Sequence, residues 1–486
     1  MQAEAAEEFA LGIGSTAGQG VLCQRPDPLV GIEFGGVAGE AVEMQPEIAR
    51  LERTDGVAPV DRIEMNRSDI IAFIALLLAA TAVAGVFLAL TVEQSEVRLG
   101  EQPLIAAHLA RGHGFASPVD ASADAQPTNW APPLYPYLMA SVYHVVGIAS
   151  PTSLCVMLLV NVLAYGLVVS GAWVIGRLLA GPLVAWLAAV SLLAHPLFLM
   201  RTSCLWDTYV ALALFVWLLV QALALRGRPG WAGVARLGAG LALLVLTNVS
   251  YALTAPPIVL LATSGDAWRR RASKVLLSAL VFGAVLLPWT LRNHAVFGEW
   301  MAVRGGPYLE MWLGNQPGSD GWMDLRRHPS VDPQERALFV EIGEQAYWAL
   351  CRERFWKDYA ADPEAFWWRS ARRLRYGLVG PYEAFGLGLL GQPGVVSAAR
   401  VASDAVLALL ALTGMGLRLR QHRIVGWLAA AGLAGALPFV VTHISYRYLL
   451  PLKFVEVELA AIAVTAGTTA LMQRMRMVAS SAPSCV

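Results

Sequence analysis

Two carboxylates and two guanidinium groups stand at the edges of apolar runs in this 486-residue chain, a combination suited to group transfer onto or off an anion. Arg447 lies in His443-Ile444-Ser445-Tyr446-Arg447-Tyr448-Leu449-Leu450-Pro451, pinned between two long apolar stretches. A cation beside hydrocarbon is costly, so such a residue ordinarily faces a partner or an aqueous cavity. Arg292 and Asn293 end another run, in Pro288-Trp289-Thr290-Leu291-Arg292-Asn293. This arginine either snorkels to the interface or joins Arg447 in a forked grip on phosphate.

Asp207, in Trp206-Asp207-Thr208-Tyr209, begins an apolar run. It suits an N-cap, whose side chain accepts from free N–H groups, and equally a carboxylate that orients an acceptor or binds a metal beside phosphate. Glu101 opens Gly100-Glu101-Gln102-Pro103-Leu104-Ile105-Ala106-Ala107. There a carboxylate complements a helix dipole or serves as a base, and Glu93 and Glu96 compete for the second role. His443 is either structural or part of the Arg447 site.

The elements that must position these groups are membrane helices. The chain is 56% hydrophobic and only 15% charged, against about 25% charged in soluble proteins. Its apolar residues fall in runs of bilayer-spanning length. Ten spans are expected, at about 70–92, 152–176, 181–199, 207–225, 236–250, 253–265, 275–291, 398–417, 424–442 and 449–471. The sixth is short and carries Pro256-Pro257. With the first span starting inside, the loops holding Arg226, Arg228 and Arg236, then Arg269, Arg270, Arg271 and Lys274, then Arg418, Arg420 and Arg423 all fall on the cytosolic side, as the positive-inside rule requires.

That parity places two large segments outside, about 93–151 and 292–397, together with Glu101, Asp207, Arg292, Asn315 and Arg447. The first carries amphipathic stretches at 101–111 and 132–146, read as helices lying in the interface. The second reads as two helices, roughly 333–360 and 362–377, rich in Trp and Tyr, which cap the membrane domain. Residues 1–64 carry a net charge of −8 and no sustained periodicity, and are expected to be a disordered cytosolic tail. The membrane domain then covers 65–475, and 476–486 form a cytosolic C-terminal tail.

Several classes are excluded. Gly12-Ile13-Gly14-Ser15-Thr16-Ala17-Gly18 has no preceding strand or following Lys to make a phosphate loop. The five cysteines show no ligand spacing. Basic residues scatter into short loops and form no nucleic-acid patch.

Taken in order, the polar segments resemble the GT-C superfamily of polytopic glycosyltransferases that use polyprenyl-phosphate-linked sugars. They are most similar to bacterial family 39 members related to dolichyl-phosphate-mannose protein mannosyltransferases and to aminoarabinose transferases. The resemblance runs over about 70–470. It rests on Glu101, on Ala107-His108-Leu109-Ala110-Arg111-Gly112-His113-Gly114-Phe115, on Pro132-Pro133-Leu134-Tyr135-Pro136, on the Arg292 segment, on Trp312-Leu313-Gly314-Asn315 and on the Arg447 segment. The family's first acidic residue is commonly Asp, often in an Asp-Glu or Asp-Asp pair; here it is a lone Glu.

The resemblance implies an all-α bundle with interfacial helices and an extracytoplasmic cap, in a bacterial inner membrane. It implies transfer of a hexosyl or pentosyl group, with inversion, from a polyprenyl-phosphate donor to a lipid, glycan or protein hydroxyl. Glu101 would be the base and Asp207 its support. Arg447, Arg292 and Tyr446 would hold the donor phosphate, with Asn293, Asn315, His443 and Tyr135 around the substrate. A divalent cation is compatible with this chemistry. A transporter or flippase of a lipid-linked or small anionic substrate is the competing class, although no internal repeat supports it. A catalytically inactive scaffold is the third.

Overall fold

The computed structural model describes residues 66–91, 101–122, 124–199, 202, 204–226, 230–321, 325–379, 393–419 and 423–481. The expected N-terminal tail, Glu93, Glu96, Arg228 and Arg420 lie outside the described residues.

The architecture is helical throughout, with one isolated antiparallel bridge between Ala116 and Pro127 and no strand among the described residues. Helix α1 (Arg67–Thr91) is followed by two short helices, α2 (Glu101–Ala110) and α3 (Leu134–Val146), where the sequence places interfacial helices. Then come α4 (Pro151–Ala180), α5 (Pro182–Ala194), α6 (Pro196–Leu199), α7 (Thr208–Leu225) and α8 (Trp231–Thr247). A 3-10 turn, Val249–Thr254, leads into α9 (Ala255–Ala262), and α10 (Trp268–Phe297) closes this half. The cap contains α11 (Pro307–Asn315), α12 (Pro333–Ile342), α13 (Glu344–Ala361) and α14 (Pro363–Leu378), and the chain returns through α15 (Pro393–Leu419), α16 (Arg423–Val441) and α17 (Tyr446–Ser481).

Every expected span coincides with a helical element, but the elements are not equivalent. Helices α1, α4, α7, α10, α15 and α16 are long and apolar enough to cross a bilayer. The stretches of α5, α8 and Val249–Ala262 are apolar but shorter. Pro256 and Pro257 explain the last case: without N–H groups they suit the first turn of a helix, and the α-helix begins there. Helix α17 is the longest, and buries Lys453, Glu456 and Glu458 in its apolar stretch. Lys453 Nζ satisfies itself on Glu456 at 2.9 Å and on the Leu378 carbonyl at 2.9 Å, fastening the end of α14 to α17.

The main core joins α1, α4, α5, α7, α8, α9, α16 and α17 through Tyr165, Trp173, Phe215, Leu241 and Phe454. Small residues allow close helix approach, the usual device where lipid supplies no hydrophobic drive. A side chain at Gly238 of α8 would strike the Ser278 backbone of α10. The outward faces stay apolar, as with Leu78, Val86 and Leu90 on α1.

A second core of Ile105, Phe115, Trp130, Leu309, Trp312, Phe339, Trp348 and Phe355 binds α2 and the 115–131 segment to the cap. The cap departs from the expected two helices: α11 and the 3-10 turn Leu325–Arg327 are additional, and the longer expected helix is broken. The helix expected over 333–360 breaks at Gly343, whose φ of 81° is open to glycine and costly for other residues. The break turns Glu344 inward, where it is buried.

Candidate active site

The starts of α7 and α17, the ends of α8, α10 and α16, and the cap meet at one end of the bundle. Asp207 precedes α7, in the N-cap position, yet its side chain makes no capping bond. It is buried, with the side-chain amides of Gln102 of α2 and Asn248 at the end of α8 near enough to favour its charged form. Asn248 Oδ1 is occupied by the Ser250 N–H at 3.1 Å, which leaves its amide nitrogen for Asp207. Burial raises the Asp207 carboxyl to about 6, against the opposing pull of Arg447, the two amides and Arg304. The capping reading of this residue is therefore not realised; its carboxylate lies in the field of Arg447 and Arg304.

Arg447 stands in the first turn of α17. Its guanidinium carbon lies 4.3 Å from the Trp206 ring centroid and 4.7 Å from that of Tyr448, and it donates to the Tyr448 hydroxyl at 2.6 Å. Both Asp207 and Glu101 act on its charge, and its buried Nε has no hydrogen-bond partner. Beside it is a hollow lined by Thr208, Asn248, Ser250, Tyr251, Phe439, Arg447 and Tyr448. Tyr135 of α3 comes close enough to Asp207 for that charge, after burial, to raise its phenol, and its hydroxyl is unpartnered.

Glu101 opens α2 with about 30% of its side chain exposed. Trp130 Nε1 donates to its Oε2 at 2.7 Å, and His328 Nε2 lies 3.4 Å from its Oε1. Glu101, Asp207, Arg447 and Tyr135 are thus brought to one region from four distant segments.

Other expected site residues go elsewhere. Arg292 donates to the Thr128 carbonyl at 2.8 Å, the Phe115 carbonyl at 3.1 Å and Asn293 Oδ1 at 3.1 Å, and it stacks among Phe115, Trp289 and Phe297. Its forked donors clamp the 115–128 segment, so the paired grip with Arg447 expected from sequence is not formed. Asn293 is fully buried and donates to the Met301 and Val303 carbonyls, both at 3.1 Å. Asn315 donates to the Met311 and Val441 carbonyls at 2.7 and 3.0 Å and accepts from Arg373 at 2.8 Å. Both asparagines hold backbone in place. The Tyr446 side chain lies outside the described residues.

The second guanidinium acting on Asp207 belongs to Arg304, which pairs with Glu310 at 3.0 Å. Glu310 also faces His443, whose Nδ1 is 3.3 Å from Oε2. Burial would raise the Glu310 carboxyl, but His443, Arg304 and His328 more than offset it and bring it down to about 2. Burial drives the His443 imidazole down to about 4 despite Glu310, so it is neutral at physiological pH. Its ring meets Tyr448 edge-on at 5.5 Å and thereby supports the Arg447 platform. The sequence signal for Arg304, an arginine before Gly305-Gly306-Pro307, was visible but indistinguishable from other loop arginines.

Among the described residues no group of three or more His, Cys, Asp or Glu side chains could hold a metal ion. Asp207 faces amides and guanidinium groups, a donor set that does not fit a metal centre.

No protein-family model matches the sequence, and no curated protein matches it. Solved structures do. The oligosaccharyltransferase AglB of Archaeoglobus fulgidus, in complex with an inhibitory peptide and a dolichol-phosphate, is 14% identical and superposes with a TM-score of 0.52 over 87% of this chain and 53% of its own. ArnT of Cupriavidus metallidurans, bound to undecaprenyl phosphate, is 16% identical over 81% of this chain and 77% of its own, with a TM-score of 0.37. The chain spans about half the length of the oligosaccharyltransferase it matches. Its order of helices gives it the fold of that oligosaccharyltransferase over the part the two share.

Proposed function

We propose that this protein is a membrane glycosyltransferase that moves a sugar from a polyprenyl-phosphate donor to an acceptor hydroxyl, on the extracytoplasmic side of a bacterial inner membrane. The observation that carries this reading is the convergence of Glu101 and Asp207 on Arg447 beside a hollow at the capped end of the bundle. The superposable oligosaccharyltransferase binds dolichol-phosphate, a ligand of the same chemistry.

The acceptor hydroxyl is a weak nucleophile. Glu101, the more accessible carboxylate, takes its proton as the oxygen attacks C1; the bond from C1 to the phosphate oxygen breaks, and the lipid phosphate leaves with the electron pair. A positioned base contributes about 10²–10⁴-fold. Arg447, assisted by Arg304, faces the charge gathering on the leaving phosphate, the point at which fixed cations lower the barrier most. Asp207 balances the charge of Arg447 before the donor arrives. The apolar outer faces leave the isoprenoid tail in lipid while its head enters the chamber.

Purified full-length protein incubated with a panel of radiolabelled polyprenyl-phosphate sugars and membrane lipid, glycan or peptide acceptors should yield label transfer with at least one pair. Label that crosses a vesicle membrane without becoming covalently attached would replace the transferase reading with the transporter one.

A further inference from the structure

The cap touches Glu101, and the atoms that face its carboxylate have fixed hydrogen positions. His328 is buried, between the 3-10 turn Leu325–Arg327 and α12. Its Nδ1 lies 3.2 Å from the Ser330 backbone nitrogen and 2.5 Å from the Ser330 hydroxyl oxygen. A backbone N–H can only donate, so Nδ1 must accept and the ring proton resides on Nε2. That is the nitrogen 3.4 Å from Glu101 Oε1.

The turn that carries the ring is braced. Arg336 donates to the Pro329 and Ser330 carbonyls at 3.0 and 2.7 Å, and the Val331 and Asp332 N–H groups both donate to the His328 carbonyl at 2.8 Å. On the other carboxylate oxygen stands the Trp130 indole, itself packed edge-on against His328 at 5.6 Å and against Phe339 at 5.5 Å. Each Glu101 oxygen therefore faces one ring N–H, and those rings are locked to each other and to the cap.

We propose that His328 and Trp130 are positioning residues that fix the plane of the Glu101 carboxylate, so that the cap, besides covering the chamber, orients its base. The proposal rests on Glu101 being that base. A carboxylate free to rotate would spend most of its time misaligned with the acceptor, and displacement by about 1 Å can cost on the order of 10²-fold in rate.

The test uses full-length protein in detergent with the radiolabelled donor found active above, comparing E101Q, H328L, H328Q and W130F. H328L should lower kcat by on the order of 10²-fold with donor KM within about twofold. H328Q, whose amide can restore an N–H near the same place, should recover most of that loss. If E101Q is inactive while H328L keeps kcat, or H328Q is no better than H328L, the positioning role falls and the base stands. If E101Q remains fully active, both fall. Histidine ¹⁵N spectra read the ring without substrate: the resonance that H328Q removes must report an Nε2–H tautomer, and an Nδ1–H tautomer overturns the proposal.

Discussion

Arg447 lies flat over Trp206, 4.3 Å from its ring centroid, and the next residue after Trp206 is Asp207, the acid whose charge Arg447 feels. One turn thus supplies both the platform and the counter-charge for the same guanidinium. A planar cation can use both; an ammonium can use only the charge. Arg447→Ala should lower kcat/KM for the lipid donor by about 10²-fold, since a charge-assisted bond and the stack are lost together. Arg447→Lys should recover less than half of that loss in free energy, as measured by steady-state transfer; full recovery would reduce Arg447 to a point charge.

Arg304 and Arg292 separate binding from scaffolding. Arg304→Ala should raise donor KM severalfold, with any fall in melting temperature traced to the Glu310 carboxylate it leaves unpaired. Arg292→Ala strands two carbonyls of the 115–128 segment and should destabilise the protein by about 2–4 kcal/mol, read as an earlier thermal transition at unchanged donor KM. The reverse pattern would restore Arg292 to the phosphate site.

Asp207 must be ionised to balance the charge of Arg447, and its carboxyl is raised to about 6. Transfer should therefore fall as pH drops below about 6, approaching tenfold per unit, and Asp207→Asn should lower the rate at all pH values while removing that limb. A pH–rate profile with the limb intact in Asp207→Asn would assign it to another group.

Glu344 gives the cap its own pH response. It accepts from the Thr128 hydroxyl and from the Asn129 N–H at 2.7 Å, and burial, only partly offset by these donors, raises it from 4.5 to about 7. The folded state binds the proton more tightly than the unfolded chain, so this contribution is full below about 4.5, is lost as pH rises to about 7, and then levels off. The change is about 3 kcal/mol at most. Glu344→Gln should flatten the dependence of melting temperature on pH between those limits; an unchanged slope would place the titration elsewhere.

Gly314 sits where α11 meets the end of α16. A Cβ there would collide with the Thr442 carbonyl and with His443. Gly314→Ala should cost about 1–3 kcal/mol and make the cap more sensitive to limited proteolysis, while the same change at Gly283, which has open space around it, should do neither.

The helices were legible because hydrocarbon demands long apolar runs, and α1, α4, α7 and α10 carry them plainly. The order of Glu101, Asp207 and Arg447 along these helices was enough to bring them to one end. What escaped was anything decided by a single distant partner. Arg292 and Arg304 are both loop-side arginines, and only the carbonyls of Phe115 and Thr128 separate their roles. Asp207 suited an N-cap until Gln102 and Asn248 claimed it. The approach of His328 to Glu101 leaves no local pattern, because it arises when the cap closes over α2.

Arg373, wholly buried in α14, donates to the carbonyls of Gly314, Gly321 and Val440 and to Asn315 Oδ1. Val440 is made 67 residues later than Arg373. During synthesis the arginine must wait for α16 to emerge and insert before its last acceptor exists. The middle of the chain is consequently the last part to be finished, and the chamber acquires its roof only when the C-terminal helices are in the bilayer.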